Sequence, residues 1–290
     1  MDENPCMSSS PVNLESLAIY QAYLHSPYLS IKHEPYFPAY EELLGKFKGQ
    51  NIILVEIGVL NGGSLFMWRN FLGENARIIG IDLNPDAKKW EEHGFEIHIG
   101  NQSDPKFWEA FFEKVSIIDV LIDDGGHTNR QQIVTVVKCL PHISDKGILI
   151  IEDTHTSYMK TFGNPSRYSF INFSKHIIDC VHSRSSVLNK EASKLSKKIE
   201  SVTFYESLVA IKINSSIPIK SQQTSNFREH KVAIDFREVD QAGQKNRRFR
   251  EVLHKILPSI YRTFPLARNL LGAVALFNFR LRNRELKKYW

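Results

Sequence analysis

The chain has 290 residues with 42% hydrophobic and 11% aromatic content, enough for one sizeable core, alone or with an appendage. Its net charge of +5 is modest, and Cys6, Cys139 and Cys180 have neither a metal-binding spacing nor the even number of a disulfide framework. This excludes a disulfide-stapled domain and favours reduced thiols in the cytoplasm. Because the first residues are polar and no apolar run reaches about 18 residues, we expect neither a signal peptide nor a transmembrane helix.

Residues 1–40 are predicted to hold one helix and a loop rich in proline and tyrosine. Helical spacing extends over Asn13–Leu24, with Asn13 as a candidate N-cap. The loop that follows either covers a pocket or ties the N-terminus onto the rest of the fold, and the sequence leaves both alternatives open. A second helix is predicted near Tyr40–Phe47.

Five short apolar runs, separated by segments of helical length, are typical of buried parallel strands. They are Ile52–Ile57, Ala76–Ile81, Phe95–Ile99, Ile117–Ile122 and Ile148–Ile151. After a predicted helix at Phe170–His182, the runs Val202–Tyr205 and Leu208–Ile213 are separated by two residues, which predicts an antiparallel hairpin. The expected fold is therefore α/β: a doubly wound, Rossmann-like sheet that is mostly parallel and ends in an antiparallel pair.

A glycine-rich turn follows the first predicted strand, in the sequence from Glu56 to Ser64. A strand, a glycine-rich turn and a helix together present backbone N–H groups and a positive helix end to a ligand. The glycines are Gly58, Gly62 and Gly63, so the dinucleotide pattern G-x-G-x-x-G is absent and a nicotinamide cofactor is disfavoured. Glu56 could accept hydrogen bonds from a cationic or hydroxylated ligand.

Polar residues also follow the second and third predicted strands. Asp82 stands about 20 residues beyond the glycine-rich turn, a position suited to hydrogen bonding with ribose hydroxyls. The alternative role for Asp82 is an N-cap for the helix after Asn84. Asn101 and Gln102 are candidates for an adenine edge, while Ser103 or Asp104 would cap the next helix.

Two pairs of acids end the fourth and fifth predicted strands: Asp123 with Asp124, and Glu152 with Asp153. Ligands bind outside the carboxyl ends of strands in open α/β sheets, so these four acids should converge. Carboxylates this close need positive charge among them, and a hard divalent cation with oxygen ligands would supply it. His127 follows across a Gly-Gly turn and is a candidate general base. The alternatives are a turn with a capping aspartate, and His155 as the base.

The order of these elements, with an acid before the glycine-rich loop and an acid ending strand two, resembles class I S-adenosylmethionine-dependent methyltransferases. The segments D-D-G-G-H at 123–127 and I-E-D at 151–153 resemble the macrocin and mycinamicin type of sugar O-methyltransferase, also grouped with cephalosporin hydroxylase-like proteins. The glycine-rich loop is similar too, whereas Gly126 stands where that family more often has Ser. The resemblance covers about residues 30–215, and we expect the methyltransferase domain at 41–215.

The resemblance implies site residues by position. Asp124, Glu152 and Asp153 would bind Mg²⁺, and His127 would be the base. The cofactor S-adenosylmethionine would be bound by Glu56, Gly58, Gly62, Gly63, Ser64, Asp82, Asn101, Gln102 and Asp123.

The expected activity is a Mg²⁺-dependent transfer of a methyl group from S-adenosylmethionine to a sugar hydroxyl of a glycan or glycosylated natural product. Chelation of the hydroxyl would lower its pKa, and a base would remove the proton. Two alternatives remain. One is an oxidative enzyme in which His127 and nearby carboxylates hold iron. The other is a non-catalytic nucleoside-binding scaffold. The sequence identifies neither the acceptor nor the position methylated.

The C-terminal extension, residues 216–290, begins with a polar linker and continues into two predicted basic helices, Lys245–Leu257 and Ala267–Trp290. The apolar run Leu270–Phe279 is too short to span a bilayer and is flanked by Arg and Lys. It would either lie on an anionic membrane surface or pack on the core or on a second subunit, and we favour packing. Nucleic acid is disfavoured because no binding motif accompanies the charge. We expect a homo-oligomer.

Overall fold

The computed structural model describes residues 12–182 and 198–216, together with Thr224 and Asn226. Cys6 and the two predicted basic helices of the C-terminal extension lie outside these residues. The predictions that the extension contacts a membrane, the core or a second subunit therefore stay predictions. Among the helices of the described residues, none is long and apolar enough to cross a membrane.

Six α-helices and six short 3₁₀ helices surround the sheet. The α-helices are α1 (Ala18–Leu24), α2 (Tyr36–Leu44), α3 (Gly63–Leu72), α4 (Pro105–Lys114), α5 (Asn129–Cys139) and α6 (Phe170–His182). The 3₁₀ helices are Leu14–Ser16, Gly45–Phe47, Pro85–His93, Leu140–His142, Thr154–Tyr158 and Lys160–Phe162. These counts refer to the described residues.

Seven strands of the described chain form one sheet: β1 (Ile53–Ile57), β2 (Arg77–Asp82), β3 (Glu96–Ile99), β4 (Ile118–Asp123), β5 (Ile143–Ile151), β6 (Ile199–Tyr205) and β7 (Leu208–Ile213). Their order is β3-β2-β1-β4-β5-β7-β6. The first five are parallel, and β7 is antiparallel to both β5 and β6. The predicted Rossmann-like sheet with a terminal antiparallel pair is confirmed.

The strand order reverses between β1 and β4, which makes their carboxyl ends the topological switch point where such sheets bind ligands. Ile57 at the end of β1 pairs with Ile81 of β2 on one side and with Asp123 of β4 on the other. Asp123 in turn pairs with Ile151 of β5. Four strand ends therefore lie in one row, and the loops after them share one edge of the sheet.

Both faces of the sheet are buried because alternate strand side chains enter two separate apolar layers. Leu54 and Val120 face the layer that contains α1, α2 and α3, including the buried Trp68. Val55 and Leu121 face the layer that contains α4, α5 and part of α6. Cys139 is buried in this second layer.

Some element boundaries differ from the sequence prediction. Helix α2 begins at Tyr36, four residues earlier than predicted, because Pro35 and Pro38 fall at its N-terminal end, where a missing N–H is tolerated. The predicted helix over Asn13–Leu24 is divided at Leu17, whose backbone is extended, although Asn13 does act as an N-cap.

Strand β5 is longer than predicted. It begins at Ile143, and its pairing with β4 shifts register between Ile118 and Val120. A polar stretch, Ser144–Lys146, lies inside the strand and hid its first half from the apolar pattern.

Candidate functional site

The loop after β1 bends against the end of β4. Gly58 has a φ of +93°, and a Cβ on this residue would lie 2.1 Å from the backbone oxygen of Asp124. Its N–H donates to the carbonyl of Ile81, while the N–H of Asp124 donates to the carbonyl of Ile57. Only glycine permits both this conformation and this close approach, so the turn is fixed at the switch point.

A cavity of about 360 Å³ lies outside these strand ends and is called here the strand-end cavity. Loops after four strands supply its walls, with Gly58, Asp82, Gln102, Asp124 and His127 among the lining residues. Pockets of this size hold small organic ligands.

Apolar side chains form part of the wall of the strand-end cavity. Ile31, Leu60 and Leu83 line it, and they are 73%, 73% and 61% exposed. Three large apolar side chains at one opening favour a ligand with a flat or apolar part, such as a nucleobase.

Asp82 fastens the glycine-rich loop to the end of β2. Its Oδ2 accepts hydrogen bonds from the N–H groups of Val59 and Leu60, at 2.8 and 3.0 Å. Its Oδ1 accepts from the N–H of Asn84 at 2.8 Å. The alternative role is wrong, because Asn84 caps the helix that follows by accepting from the N–H of Asp86. Asp82 lines the cavity and retains lone pairs for a further donor.

Gln102 and Asp123 form a buried pair that joins the ends of β3 and β4. The amide of Gln102 donates to both carboxylate oxygens of Asp123, at 2.8 and 2.9 Å. The carbonyl oxygen of Gln102 accepts from the N–H of Gly126 at 3.1 Å. Burial raises the pKa of Asp123 even though these hydrogen bonds favour the carboxylate. Gln102 therefore lines the cavity and also fixes the turn that precedes His127.

Glu56, Asp124, Glu152 and Asp153 form a second feature at the same edge, called here the carboxylate cluster. Lys32 enters it from the segment between α1 and α2, with a side chain only 1% exposed. Its Nζ lies 2.7 Å from Asp124 Oδ2, 3.0 Å from Glu152 Oε2 and 3.6 Å from Glu56 Oε1. Burial opposes the charge on Lys32, but these three acids outweigh it and raise the pKa of the ammonium well above its ordinary value.

The positive charge of Lys32 does not fully balance the negative charge of the carboxylate cluster. Burial, followed by the charge of Asp124, raises the pKa of Glu152 well above its ordinary value despite the ammonium. Tyr40, which is fully buried, donates its hydroxyl hydrogen to Glu152 in a short hydrogen bond. Burial also raises the pKa of Glu56, whose carboxylate accepts from Ser64 Oγ at 2.6 Å. One ammonium therefore does not offset the cost of burying the carboxylates of Glu152 and Glu56.

Asp153 joins the cluster to a group of histidines. It stands in the left-handed region with a φ of 53°, and its Oδ1 accepts from the hydroxyl of Tyr36 at 2.6 Å. Nε2 of His127 lies 3.3 Å from Oδ2 of Asp153. His33 and His155 lie farther away, at 3.6 and 3.9 Å from Oδ1. His127 is therefore placed beside an acid that can stabilise its protonated form.

The arrangement contains one grouping with metal-binding geometry among the described residues. Each of Asp124, His127 and Asp153 offers a ligand atom, and these atoms all lie within 4.8 Å of one another. His127 Nδ1 is buried without a hydrogen-bond partner. Glu152 is outside this grouping, and its carboxylate accepts hydrogen bonds from Lys32 and Tyr40.

The sequence from residue 55 to residue 154, which spans the cavity and most of the cluster, matches a family model described as a methyltransferase domain. These residues are therefore similar to a methyltransferase domain.

Curated relatives of the chain carry more specific names. It is 26% identical over 189 residues to 8-demethyl-8-alpha-L-rhamnosyl tetracenomycin-C 2'-O-methyltransferase of Streptomyces olivaceus, covering 61% of this chain and 49% of that protein. It is 30% identical over 133 residues to mycinamicin VI 2''-O-methyltransferase of Micromonospora griseorubida, covering 43% and 33%. The chain thus spans half or less of the length of these relatives.

The fold of the chain is similar to a solved structure, the MycE methyltransferase of the mycinamycin biosynthetic pathway in complex with Mg, SAH and mycinamycin VI. The TM-score is 0.60 at 23% identity, over 68% of this chain and 53% of MycE. At this identity the similarity establishes the fold.

The residues predicted to bind the cofactor fall into three groups by their positions in the structure. Gly58, Asp82 and Gln102 line the strand-end cavity. A second group is packed behind it in buried positions: Glu56, Gly62, Gly63, Ser64 and Asp123. A Cβ on Gly62 would meet the ring of Trp90, and one on Gly63 would meet the carbonyl of Tyr28, so both glycines serve close packing.

Asn101 alone forms the third group of these predicted residues. It is exposed, and its side chain accepts from the N–H and hydroxyl of Ser103 instead of lining the cavity. Asp104, as predicted, is the N-cap of the next helix, α4.

Three residues of the site have no counterpart among the predicted ones: Lys32, Tyr36 and Tyr40. All three come from the loop rich in proline and tyrosine or from the start of α2. Ile31 of that loop lines the cavity, while α2 packs against the sheet. The N-terminal segment therefore has both of the roles considered above: it covers a pocket, and it ties the N-terminus onto the rest of the fold.

Proposed function

We propose that the chain is a metal-dependent O-methyltransferase that transfers a methyl group from S-adenosylmethionine to a sugar hydroxyl of a glycoside or glycan. One observation carries the proposal: the strand-end cavity and the carboxylate cluster share Asp124, with His127 at their junction. A methyl donor in the cavity would meet an acceptor bound at the cluster. The names of the relatives, all O-methyltransferases acting on glycosylated compounds, support this reading.

The strand-end cavity is the proposed site of S-adenosylmethionine. Gly58 allows the ligand to approach the backbone closely, and Asp82 has lone pairs for ribose hydroxyls. The apolar side chains of Ile31, Leu60 and Leu83 suit the adenine ring. Glu56, Ser64 and Asp123 support this site from behind by their buried hydrogen bonds.

Asp124, Glu152 and Asp153 would hold a divalent cation such as Mg²⁺. Their oxygen donors suit a hard cation, and Asp124 and Asp153 offer ligand atoms within 4.8 Å of each other. When bound, the cation would lower the pKa of an acceptor hydroxyl and orient it.

His127 is the proposed general base. It would accept the hydroxyl proton at Nε2, which faces Oδ2 of Asp153 at 3.3 Å, so that the carboxylate stabilises the imidazolium. Tyr36 holds the other oxygen of Asp153 and keeps the carboxylate in place. S-adenosylmethionine, when bound in the strand-end cavity, would supply the methyl group for this oxygen, and the sulfonium sulfur would keep the electron pair of the broken bond.

The oxidative alternative has one observation in its favour. Asp124, His127 and Asp153 form a two-carboxylate, one-histidine set that could hold iron, although the facial triad of iron oxygenases has two histidines and one carboxylate. In that case His127 would be a ligand rather than a base. Metal analysis of purified protein and oxygen consumption separate the two: we expect activity with Mg²⁺ and without oxygen, whereas an iron and oxygen requirement would replace this proposal.

The nucleotide part of the proposal is tested by thermal unfolding with S-adenosylhomocysteine and, separately, with NAD. A ligand that binds only the folded state must raise the melting temperature. We expect S-adenosylhomocysteine to do so and NAD not. Stabilisation by NAD alone would reject a methyltransferase. Mass spectrometry of a panel of glycosides and glycan extracts, incubated with protein, cofactor and Mg²⁺, would then identify the acceptor.

A further inference from the structure

The ammonium of Lys32 occupies the space between two of the three acids proposed to hold the cation. It donates to Asp124 at 2.7 Å and to both oxygens of Glu152, at 3.0 and 3.1 Å. Its side chain is buried, and carboxylate oxygens of three acids lie 2.7, 3.0 and 3.6 Å from the ammonium. An internal cation is therefore already present where an external one is proposed.

We propose that Lys32 and the divalent cation compete for Asp124 and Glu152, so that cation binding displaces the ammonium. The inference rests on the proposed metal-dependent function. A Mg²⁺ ion lies about 2.0–2.1 Å from its oxygen ligands. It cannot approach the same oxygens while an ammonium occupies hydrogen-bonding positions between them, and two cations in one buried site repel each other.

The two remaining groups at this site leave a route for the exchange. Asp153 and His127 do not contact Lys32, and both are partly exposed. Asp124 and Asp153 offer ligand atoms within 4.8 Å of each other, so an entering ion has two of its proposed ligands before Lys32 moves. Glu152 then becomes available as the ammonium leaves.

The segment that carries Lys32 lies outside the helices and strands. Leu29 and Ile31 are 62% and 73% exposed, and residues 29–33 belong to no helix or strand. Lys32 enters the cluster from this segment, His33 lies 3.6 Å from Asp153, and the neighbouring Ile31 lines the strand-end cavity. Displacement of Lys32 would consequently reshape the cavity wall, so cation loading and cofactor binding become coupled.

Mn²⁺ binding measured by electron paramagnetic resonance tests the competition in wild type and Lys32→Met. The variant should bind Mn²⁺ about tenfold more tightly or better, because a charged competitor is gone. Lys32→Met combined with Glu152→Gln should lose that gain, since the freed carboxylate is removed. Lys138→Met is the matched control, because Lys138 forms a remote ion pair with Glu109 and should leave Mn²⁺ affinity unchanged.

A second measurement uses the wild-type protein and decides the question if Lys32→Met fails to fold. Lysine acylation followed by mass spectrometry should find Lys32 protected without Mn²⁺ and reactive at saturating Mn²⁺, with Lys138 equally reactive in both. Two results would overturn the proposed competition without rejecting the metal-dependent function. They are equal Mn²⁺ affinity in wild type and Lys32→Met, or acylation of Lys32 that does not change with Mn²⁺. Absence of Mn²⁺ binding to both proteins would instead overturn the metal-dependent function.

Discussion

The strand-end cavity and the carboxylate cluster meet at Asp124, yet their acids are stabilised in different ways. In the cavity, Asp82 accepts three hydrogen bonds from backbone N–H groups. In the cluster, Glu152 depends on an ammonium and a phenol from the N-terminal segment, and its pKa stays raised. Neutral backbone donors can remain in place when a ligand arrives. A charged lysine has to be exchanged for another cation.

Because of this difference, amino-acid substitutions in the two regions should have different effects. Substitutions in the cluster should reduce turnover and leave the binding of a nucleoside ligand largely intact. Substitutions in the cavity should weaken that binding first. The predictions below test this division in order of decreasing effect.

The largest effect is expected at Asp124, which belongs to both regions. Asp124→Asn should reduce the rate of methyl transfer about 10³-fold or more. A bound metal stabilises a transition state by several kcal/mol, and about 1.4 kcal/mol corresponds to a factor of ten in rate. Steady-state kinetics measure the loss, and calorimetry with S-adenosylhomocysteine shows whether binding persists. Asp86→Asn, at an exposed acid, is the control. Near-normal turnover in Asp124→Asn would remove the cluster from the reaction.

His127→Ala should fold, bind S-adenosylhomocysteine and lose about 10²–10⁴-fold in kcat, the usual contribution of a general base. His155→Ala is the matched control, because His155 also faces Asp153, with its Nδ1 3.9 Å from Oδ1 of Asp153. Kinetics of both variants assign the base. The opposite result, a large loss only in His155→Ala, would transfer the role to that residue.

Gly58→Ala probes the cavity. The new Cβ would collide with the backbone of Asp124 at a φ of +93°, so we expect weaker binding of S-adenosylhomocysteine and a lower melting temperature. Gly94→Ala has a similar φ of +79° with nothing within 4 Å, and it should show only the backbone penalty of about 1–2 kcal/mol. Equal effects in both variants would mean that the close approach at Gly58 is unimportant.

The smallest effect is expected from truncation near Ser225. All the site residues described here precede residue 216, so the shortened chain should fold and bind S-adenosylhomocysteine as the full chain does. If Leu270–Phe279 lies on a membrane, only the full chain should sediment with anionic vesicles, and salt should weaken this by screening over about 8–10 Å. If that segment packs on the core, truncation should cause aggregation without vesicle binding.

The sheet was predictable because its strands are short, apolar on both faces and bounded by glycines or acids. The register of Ile57 with Asp123 follows from the strand order, so the acids after each strand had to share one edge. The polar first half of β5 was missed, because Ser144–Lys146 breaks the apolar pattern.

The positions of the site residues were predictable where the contacts are local, as at Gly58 and Asp82. The partners of the carboxylate cluster were not. Lys32 stands 92 residues from Asp124 and 120 from Glu152, and no spacing rule connects them. The sequence indicated only that positive charge was required among the acids. The fold supplies part of it from the N-terminal segment.

The central claim is tested most directly by following methyl transfer from isotopically labelled S-adenosylmethionine to a glycoside acceptor, with Mg²⁺ and with excess chelator. We predict a labelled methyl ether on a sugar oxygen in the presence of Mg²⁺, none with chelator, and recovery when Mg²⁺ is restored. Undiminished transfer in excess chelator would contradict a metal-dependent reaction at the carboxylate cluster.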